Sequence, residues 1–193
     1  LVPRHRRDAL VAALRKEVWA RYGEEFTNIG DYTRIINDAQ FARLKGYLDD
    51  AKERRIEKIT LAGLPDPAQR LLPPTLLLDP GDDARVMQEE IFGPLLPIKS
   101  YRTLDEAIAY VNARDRPLAL YPFSHDKASV ETILRSVLAG GVSVNDTLLH
   151  FAISGLPFGG IGPSGMGAYH GRAGFDAMSK QLPILWQARR TGA

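Results

Sequence analysis

The sequence contains no cysteine among its 193 residues. This absence excludes disulfides, thiolate metal sites and a thiol nucleophile supplied by the chain itself. Long hydrophobic runs are also missing, since no apolar segment approaches the roughly 18 residues that a membrane span requires. The composition is otherwise that of a globular protein, with 45% hydrophobic and 25% charged residues, and no membrane partner is expected.

An excess of charge of one sign is lacking as well, because 25 Lys and Arg residues face 23 Asp and Glu residues. Basic residues crowd the two ends of the chain, at 4–7 and 189–190, without interleaved aromatic residues. Such clusters are more typical of solvated faces than of a nucleic-acid interface, so no nucleic-acid partner is predicted. No signal peptide is recognisable, and the expected compartment is the cytoplasm.

Apolar residues at helical spacing predict two amphipathic helices near the start of the chain. The first covers residues 4–22, and the second, which Asn37 can cap, reaches about residue 52. Residues 56–61 and 75–78 are predicted to be strands, the second of them buried because it consists of Thr and three Leu residues.

Strands and helices are predicted to alternate in the middle of the chain, and their short connections favour right-handed crossovers. The predicted elements are strand 95–101, helix 104–111, strand 119–123, helix 126–138 and strand 142–144. This pattern predicts an α/β fold with a largely parallel sheet and flanking helices. Ligands bind beyond the carboxyl ends of such strands, which places Asn145 at the mouth of a candidate site.

Seven glycines lie between residues 155 and 171, more than ordinary loop chemistry requires. Residues 160–165 match the dinucleotide pattern G-x-G-x-x-G, but that pattern needs a helix opening on its glycines. Pro163, Gly165 and Gly167 occupy the positions of that helix, so we reject the dinucleotide interpretation. The glycines instead predict a tightly folded crossing where something comes close to the backbone.

The end of the chain is predicted to contain a short helix at 172–180 and a weakly alternating strand at 181–188. A terminal strand that has no partner in its own chain often pairs with another subunit. We therefore expect a C-terminal oligomerisation strand and a homodimer.

Three sequence blocks together resemble the aldehyde dehydrogenase superfamily. They are EEIFGP at 89–94, GGVSVND at 140–146 and LPFGGIGPSGMGAYHG at 156–171. QEE at 88–90 and NDTLLH at 145–150 are most similar to the class 3 branch, which includes the coniferyl aldehyde dehydrogenases. The resemblance runs from residue 1 to about 185 but covers only part of the family's length. It implies that this is the C-terminal portion of such an enzyme, with the nucleophilic cysteine, the general-base glutamate and the oxyanion-hole asparagine upstream.

The resemblance implies oxidation of an aldehyde, of which an aromatic, coniferyl-type aldehyde is one candidate, to an acid through a cysteine thioester with NAD or NADP. It implies no catalytic residue and no metal site in this chain. Glu90 is expected to accept hydrogen bonds from the nicotinamide ribose, and Phe92 to pack near the nicotinamide. Asn145, His150 and Phe158 are expected around the aldehyde tunnel. Residues 1–180 would be the catalytic-domain portion, with a cofactor-contact loop near 88–94, and 181–193 the oligomerisation arm and tail.

Other interpretations stay open for several of these residues. Without the resemblance, Glu90 and Glu89 are both solvated charges, His150 is a hydrogen-bonded structural residue, and Phe158 is a core residue. A non-catalytic oligomerisation or interaction fragment is the alternative function, because the nucleophile is missing. A stand-alone nucleotide-binding module depends on the rejected glycine match. Neither the aldehyde nor the choice between NAD and NADP can be predicted.

Overall fold

The computed structural model describes residues 1–26 and 29–188. The chain forms two compact units, Leu1–Thr103 and a second that begins at Leu104. The first contains β1 (Val2–Pro3), α1 (Arg7–Tyr22), α2 (Asp38–Glu53), β2 (Glu57–Thr60), β3 (Thr75–Leu78), α3 (Arg85–Gln88), β4 (Leu95–Ile98) and β5 (Ser100–Tyr101). The second contains α4 (Leu104–Asn112), β6 (Ala119–Leu120), α5 (Lys127–Ser136), β7 (Gly141–Val142), α6 (Leu149–Ala152) and α7 (Gly171–Ala177). No helix in the described residues is long and apolar enough to cross a membrane.

The first unit is built on the fully buried strand β3, which lies between β2 and β4. It pairs with β2 antiparallel and with β4 parallel. Leu77 packs in a core cluster with the buried face of α2, whereas Leu76 and Leu78 pack in a second cluster with Val11 of α1. Because successive side chains of a strand point to opposite faces, one helix covers each face of the sheet. The expectation of an α/β fold is confirmed.

Two helix boundaries, the start of α2 and the end of α1, lie where the sequence predicts them. Asn37 caps α2, since its side-chain oxygen accepts a hydrogen bond from the backbone N–H of Gln40 at 2.9 Å. Gly23 ends α1 with a φ of 76°, a conformation that glycine adopts without steric cost.

The predicted strand 95–101 is wrong as a single strand, because it divides at Lys99 and changes partner. β4 pairs with β3, whereas β5 pairs with β1. Asp79 lies at the change, where its carboxylate accepts hydrogen bonds from Ser100 N–H at 2.6 Å and from the Arg7 guanidinium at 3.0 Å. Partial burial works to raise the pKa of Asp79, but these hydrogen bonds outweigh it and hold the pKa below its ordinary value.

In the second unit, β6 and β7 are parallel neighbours joined through α5. Both strands are shorter than predicted, because regular pairing covers two residues of each. Single backbone hydrogen bonds continue beyond it, from Ser143 to Leu120 and from Asn145 to Pro122. The predicted largely parallel pairing is confirmed, because three of the four strand pairs in the described residues are parallel. The predicted strands 95–101, 119–123 and 142–144 do not share one sheet, since β4 and β5 pair within the first unit and β6 pairs with β7. Apolar patterning places a strand in a sheet without specifying its neighbour.

The predicted last helix is confirmed as α7, whereas residues 181–188 carry no strand. Four large apolar side chains of this segment are exposed: Leu182, Ile184, Leu185 and Trp186. An isolated strand has no partner for its backbone groups, so the predicted strand does not form within the chain itself. Its pairing with a second subunit stays a prediction. The predicted tail beyond residue 188, including the terminal arginines, lies outside the described residues.

Candidate functional site

The predicted cofactor-contact loop follows α3 in the first unit and carries two exposed side chains. Glu90 is exposed, and the Phe92 ring is 87% exposed. Between them, the half-buried Ile91 packs against the core that α2 covers. Ile91 thus anchors the loop to the core, while the side chains of Glu90 and Phe92 remain exposed at the surface.

Phe92 has a φ of 41°, in the left-handed region that bulky residues rarely adopt. Such a conformation costs on the order of 1–3 kcal/mol and persists only where the surroundings impose it. The next residue, Gly93, lies against α2, where a Cβ would come within 2.6 Å of two Leu44 methyl carbons. Backbone strain of this kind is concentrated at ligand sites, and this supports a functional role for the loop.

Two adjacent carboxylates of the loop have different surroundings, because Glu89, although exposed as expected, also has hydrogen-bond partners. Glu89 accepts hydrogen bonds from the Tyr47 hydroxyl at 3.0 Å and from Arg85 Nε at 3.1 Å. The Arg85 hydrogen bond, followed by that of Tyr47, holds the pKa of Glu89 below its ordinary value. Within the described part of the chain, the Glu90 carboxylate has no hydrogen-bond partner. Glu89 therefore ties the loop to α2, and Glu90 is free to accept hydrogen bonds from a ligand.

Phe158 lies at the centre of an aromatic cluster in the second unit. Its ring centroid is 5.0 Å from that of Phe151, 5.7 Å from that of Tyr169 and 5.9 Å from that of His150. Edge-to-face and tilted arrangements at these distances are the favoured geometries of aromatic pairs. The cluster consists of Tyr121, His150, Phe151, Phe158, Tyr169 and His170.

His150 is buried, with 7% of its surface exposed, and only one of its ring nitrogens is satisfied. Nδ1 lies 3.0 Å from the hydroxyl of Ser143, which also accepts a hydrogen bond from the His150 backbone N–H at 3.3 Å. Nε2 is buried and has no hydrogen-bond partner among the residues that the structure describes. The ring lies against Gly141, where a Cβ would come within 2.5 Å of its Cδ2. His150 is therefore a packed, hydrogen-bonded residue that keeps one unsatisfied polar atom beside the aromatic cluster.

Asn145 lies beyond the carboxyl end of β7, where the sheet argument places it, but its side chain is occupied. Its oxygen accepts a hydrogen bond from Ser124 N–H at 2.8 Å, and its amide nitrogen donates to Ser124 O at 3.0 Å. Its φ is 59°, a region in which Asn is favoured over other side chains. The amide thus joins the loops that follow β6 and β7. Contact with an aldehyde stays a prediction.

The glycine-rich stretch folds tightly on itself, as predicted, and the close partner is its own backbone. Phe158 and Tyr169 exchange two backbone hydrogen bonds, at 2.9 and 3.0 Å. A Cβ on Gly160 would lie 2.6 Å from Gly165 N and closer still to the carbonyl of Ser164. No helix opens on this stretch until α7 begins at Gly171, so the helix that the dinucleotide pattern requires does not follow residues 160–165.

His170 is a member of the cluster to which the sequence interpretation gave no role. Its φ is 78°, and its ring stacks on Phe158 at a centroid distance of 6.2 Å. Its Nδ1 is buried and finds no hydrogen-bond partner in residues 1–26 and 29–188. The signal in the sequence was its place directly before Gly171, at the end of the folded stretch. Among residues 1–26 and 29–188, no group of three His, Asp or Glu side chains could hold a metal ion.

Sequence comparison with known proteins matches nearly the whole chain to aldehyde dehydrogenases. A sequence model of the aldehyde dehydrogenase family matches residues 1–182. A "Probable coniferyl aldehyde dehydrogenase" of Pseudomonas aeruginosa is 49% identical over 193 residues, which are 100% of this chain and 40% of the relative. "Aldehyde dehydrogenase family 3 member A2" of Rattus norvegicus is 44% identical over 178 residues, 92% of this chain and 36% of the relative.

Solved structures agree with this sequence comparison. Substrate-bound Staphylococcus aureus AldH superposes with a TM-score of 0.88 at 39% identity, covering 100% of this chain and 41% of that one. A Mycobacterium tuberculosis aldehyde dehydrogenase complexed with NAD+ has a TM-score of 0.79 at 27% identity, covering 97% of this chain and 40% of that one. The chain spans about 40% of the length of the Pseudomonas relative and of the Staphylococcus structure.

Proposed function

Since this chain belongs to the aldehyde dehydrogenase family, we propose that it is the C-terminal part of an NAD(P)-dependent enzyme that oxidises an aldehyde to a carboxylic acid. Because this chain contains no cysteine, the cysteine that forms the thioester would lie in another part of the full-length enzyme, upstream of this chain by the family pattern. The proposal rests on the structure of the loop at 89–93. There, hydrogen bonds hold the side chain of Glu89, while the side chains of Glu90 and Phe92 are exposed. A cytoplasmic location stays a prediction.

The loop residues fit the nicotinamide half of NAD or NADP. A free carboxylate such as that of Glu90 can accept hydrogen bonds from two neighbouring ribose hydroxyls. The exposed Phe92 ring offers a flat apolar face for a planar heterocycle. When bound, the nicotinamide would supply the acceptor for the hydride that leaves the substrate. Glu90 and Phe92 would orient it, and an oriented reactant is a large part of catalytic rate enhancement.

The aromatic cluster around Phe158 is proposed to line the aldehyde site. Asn145 would fix the turn at its edge, His150 would direct an unsatisfied ring nitrogen toward it, and Phe158 would contact the substrate. Aromatic side chains suit an aromatic aldehyde, because offset and edge-on ring pairs add to the burial of apolar surface. The name of the Pseudomonas relative, a "Probable coniferyl aldehyde dehydrogenase", supports the same substrate class.

Turnover tests this proposal directly. We expect the full-length protein to reduce NAD or NADP in the presence of a cinnamyl-type aldehyde, and the isolated 193-residue chain to show no turnover. The chain lacks the thiol on which the reaction depends. Turnover by the isolated chain, free of full-length protein, would overturn the assignment of the nucleophile. A full-length protein that is inert toward aldehydes would favour the non-catalytic interaction fragment.

We further propose that 181–188 pairs between subunits in a homodimer. Its four exposed apolar side chains, on a segment that forms no strand within the described chain, suit a strand added to the sheet of a second copy. A full-length enzyme truncated after Lys180 is expected to lose the dimer mass in light scattering. A version ending at Ala188, which keeps the apolar segment, is the control and should stay dimeric. An unchanged mass after truncation at Lys180 would contradict this role.

A further inference from the structure

Arg43 of α2 directs its guanidinium at two consecutive carbonyls of the cofactor-contact loop. Nη1 donates to Glu90 O at 2.9 Å, and Nη2 donates to Ile91 O at 2.8 Å. These are the two residues directly before the left-handed Phe92. A planar guanidinium can span two acceptors at once, because its donors form a fixed fork.

The guanidinium is itself held in place by its remaining donors and by an aromatic ring. Nε donates to the side-chain oxygen of Gln40, and Nη1 also donates to the Tyr47 hydroxyl, both at 2.7 Å. Its central carbon lies 5.3 Å from the centre of the Tyr47 ring, which is 1% exposed. Tyr47 in turn donates to Glu89, so one buried phenol connects the arginine with the start of the loop. The fork therefore has little freedom to turn away from the two carbonyls.

We propose that Arg43 is a positioning residue for the cofactor: by fixing the carbonyls of Glu90 and Ile91, it holds the Glu90 carboxylate and the Phe92 ring outward for the nicotinamide half of NAD(P). This inference rests on the proposed function. The anchoring itself does not, because it is a property of the chain without ligand. Lysine cannot replace Arg43, since a single ammonium group cannot bridge two carbonyls while also keeping the contacts with Gln40 and Tyr47.

The test is Arg43→Lys in the full-length enzyme, with Arg54→Lys as the matched control. Arg54 caps the C-terminus of the same helix and pairs with Asp50 and Asp83, outside the loop. We expect Arg43→Lys to raise the Kd for NAD(P) by roughly tenfold, since two charged hydrogen bonds that hold the loop are lost. The KM for the aldehyde should stay near that of wild type. Arg54→Lys should leave both constants unchanged.

Two further readouts separate positioning from a general loss of stability. Hydrogen exchange without cofactor should speed up in the 89–94 peptide of Arg43→Lys and stay unchanged in that peptide of Arg54→Lys. In a double-mutant cycle with Glu90→Gln, the losses of affinity should be far from additive, because Arg43 acts through Glu90.

The outcomes also distinguish this inference from the proposed function. Equal Kd values and equal exchange in Arg43→Lys and Arg54→Lys, in an enzyme that binds NAD(P), would overturn the role of Arg43 alone. Additive losses in the cycle would do the same. A wild-type protein that binds no NAD(P) would overturn the proposed function and this role together, even with faster exchange in Arg43→Lys.

Discussion

Glu90→Gln is expected to weaken NAD(P) binding, or slow hydride transfer, by about tenfold or more in the full-length enzyme. A carboxylate that accepts from two ribose hydroxyls makes charge-assisted hydrogen bonds, each worth on the order of 1.5–3 kcal/mol. The Gln side chain keeps the shape and removes the charge, so packing is unchanged. Steady-state and single-turnover kinetics with NAD distinguish weaker binding from slower transfer out of a misaligned nicotinamide.

The structure shows which carboxylate is a suitable control for this experiment. Glu89 is unsuitable as a control, because it accepts hydrogen bonds from Tyr47 and Arg85 that hold the loop. Glu57, which is exposed on β2, is the better control, and Glu57→Gln should behave as wild type. Glu89→Gln should loosen the loop from α2. Because Glu89 is not proposed to contact the ribose itself, this variant should weaken NAD(P) binding less than Glu90→Gln does. If Glu90→Gln matches Glu57→Gln in every constant, Glu90 does not hold the cofactor.

Gly160→Ala is expected to disrupt the glycine-rich stretch and, with it, the aldehyde site. The new Cβ would lie 2.6 Å from Gly165 N and still closer to the carbonyl of Ser164, both of which are backbone groups. Backbone cannot rotate away as a flexible side chain does, and overpacking typically costs about 1–3 kcal/mol and sometimes more. Phe158 is two residues away, so the loss should appear both in the midpoint of thermal unfolding and in kcat/KM for the aldehyde.

Gly155→Ala is the matched control, because a Cβ at that position would meet nothing within 4 Å. It should unfold at the temperature of wild type and retain its aldehyde kinetics. Equal unfolding midpoints for the two variants would show that the crossing tolerates a side chain. A Gly160→Ala variant with unchanged stability and aldehyde kinetics but weaker NAD(P) binding would instead restore the rejected dinucleotide interpretation.

Helices and strands could be predicted where residues of the element itself, or of its cap, determine them. The period of the apolar residues and the Asn37 cap gave α2 almost to the residue. The run of Thr and three Leu gave the buried β3. The change of partner after β4 could not be predicted, because it depends on Asp79 meeting Ser100 and Arg7 in space. Such contacts leave no periodic signal in a single sequence.

The candidate site shows the same limit. The resemblance to the family named Glu90 and Phe92, and the structure presents both at the surface. What distinguishes Glu90 from Glu89 is a phenol and a guanidinium that come from α2 and α3. The role proposed for Arg43 likewise depends on a helix that lies more than forty residues earlier in the chain. Asn145 was placed correctly beyond β7, but nothing in the sequence indicated that Ser124 would occupy its amide.

Thiol labelling of the full-length enzyme tests the proposal that this chain supports a cysteine enzyme whose nucleophile is upstream. Stoichiometric alkylation followed by peptide mapping would locate the thiol on which activity depends. We expect one cysteine upstream of Leu1 to be labelled as activity is lost, and bound aldehyde to protect it. Full activity after every thiol has been alkylated would show that the enzyme does not depend on a cysteine nucleophile.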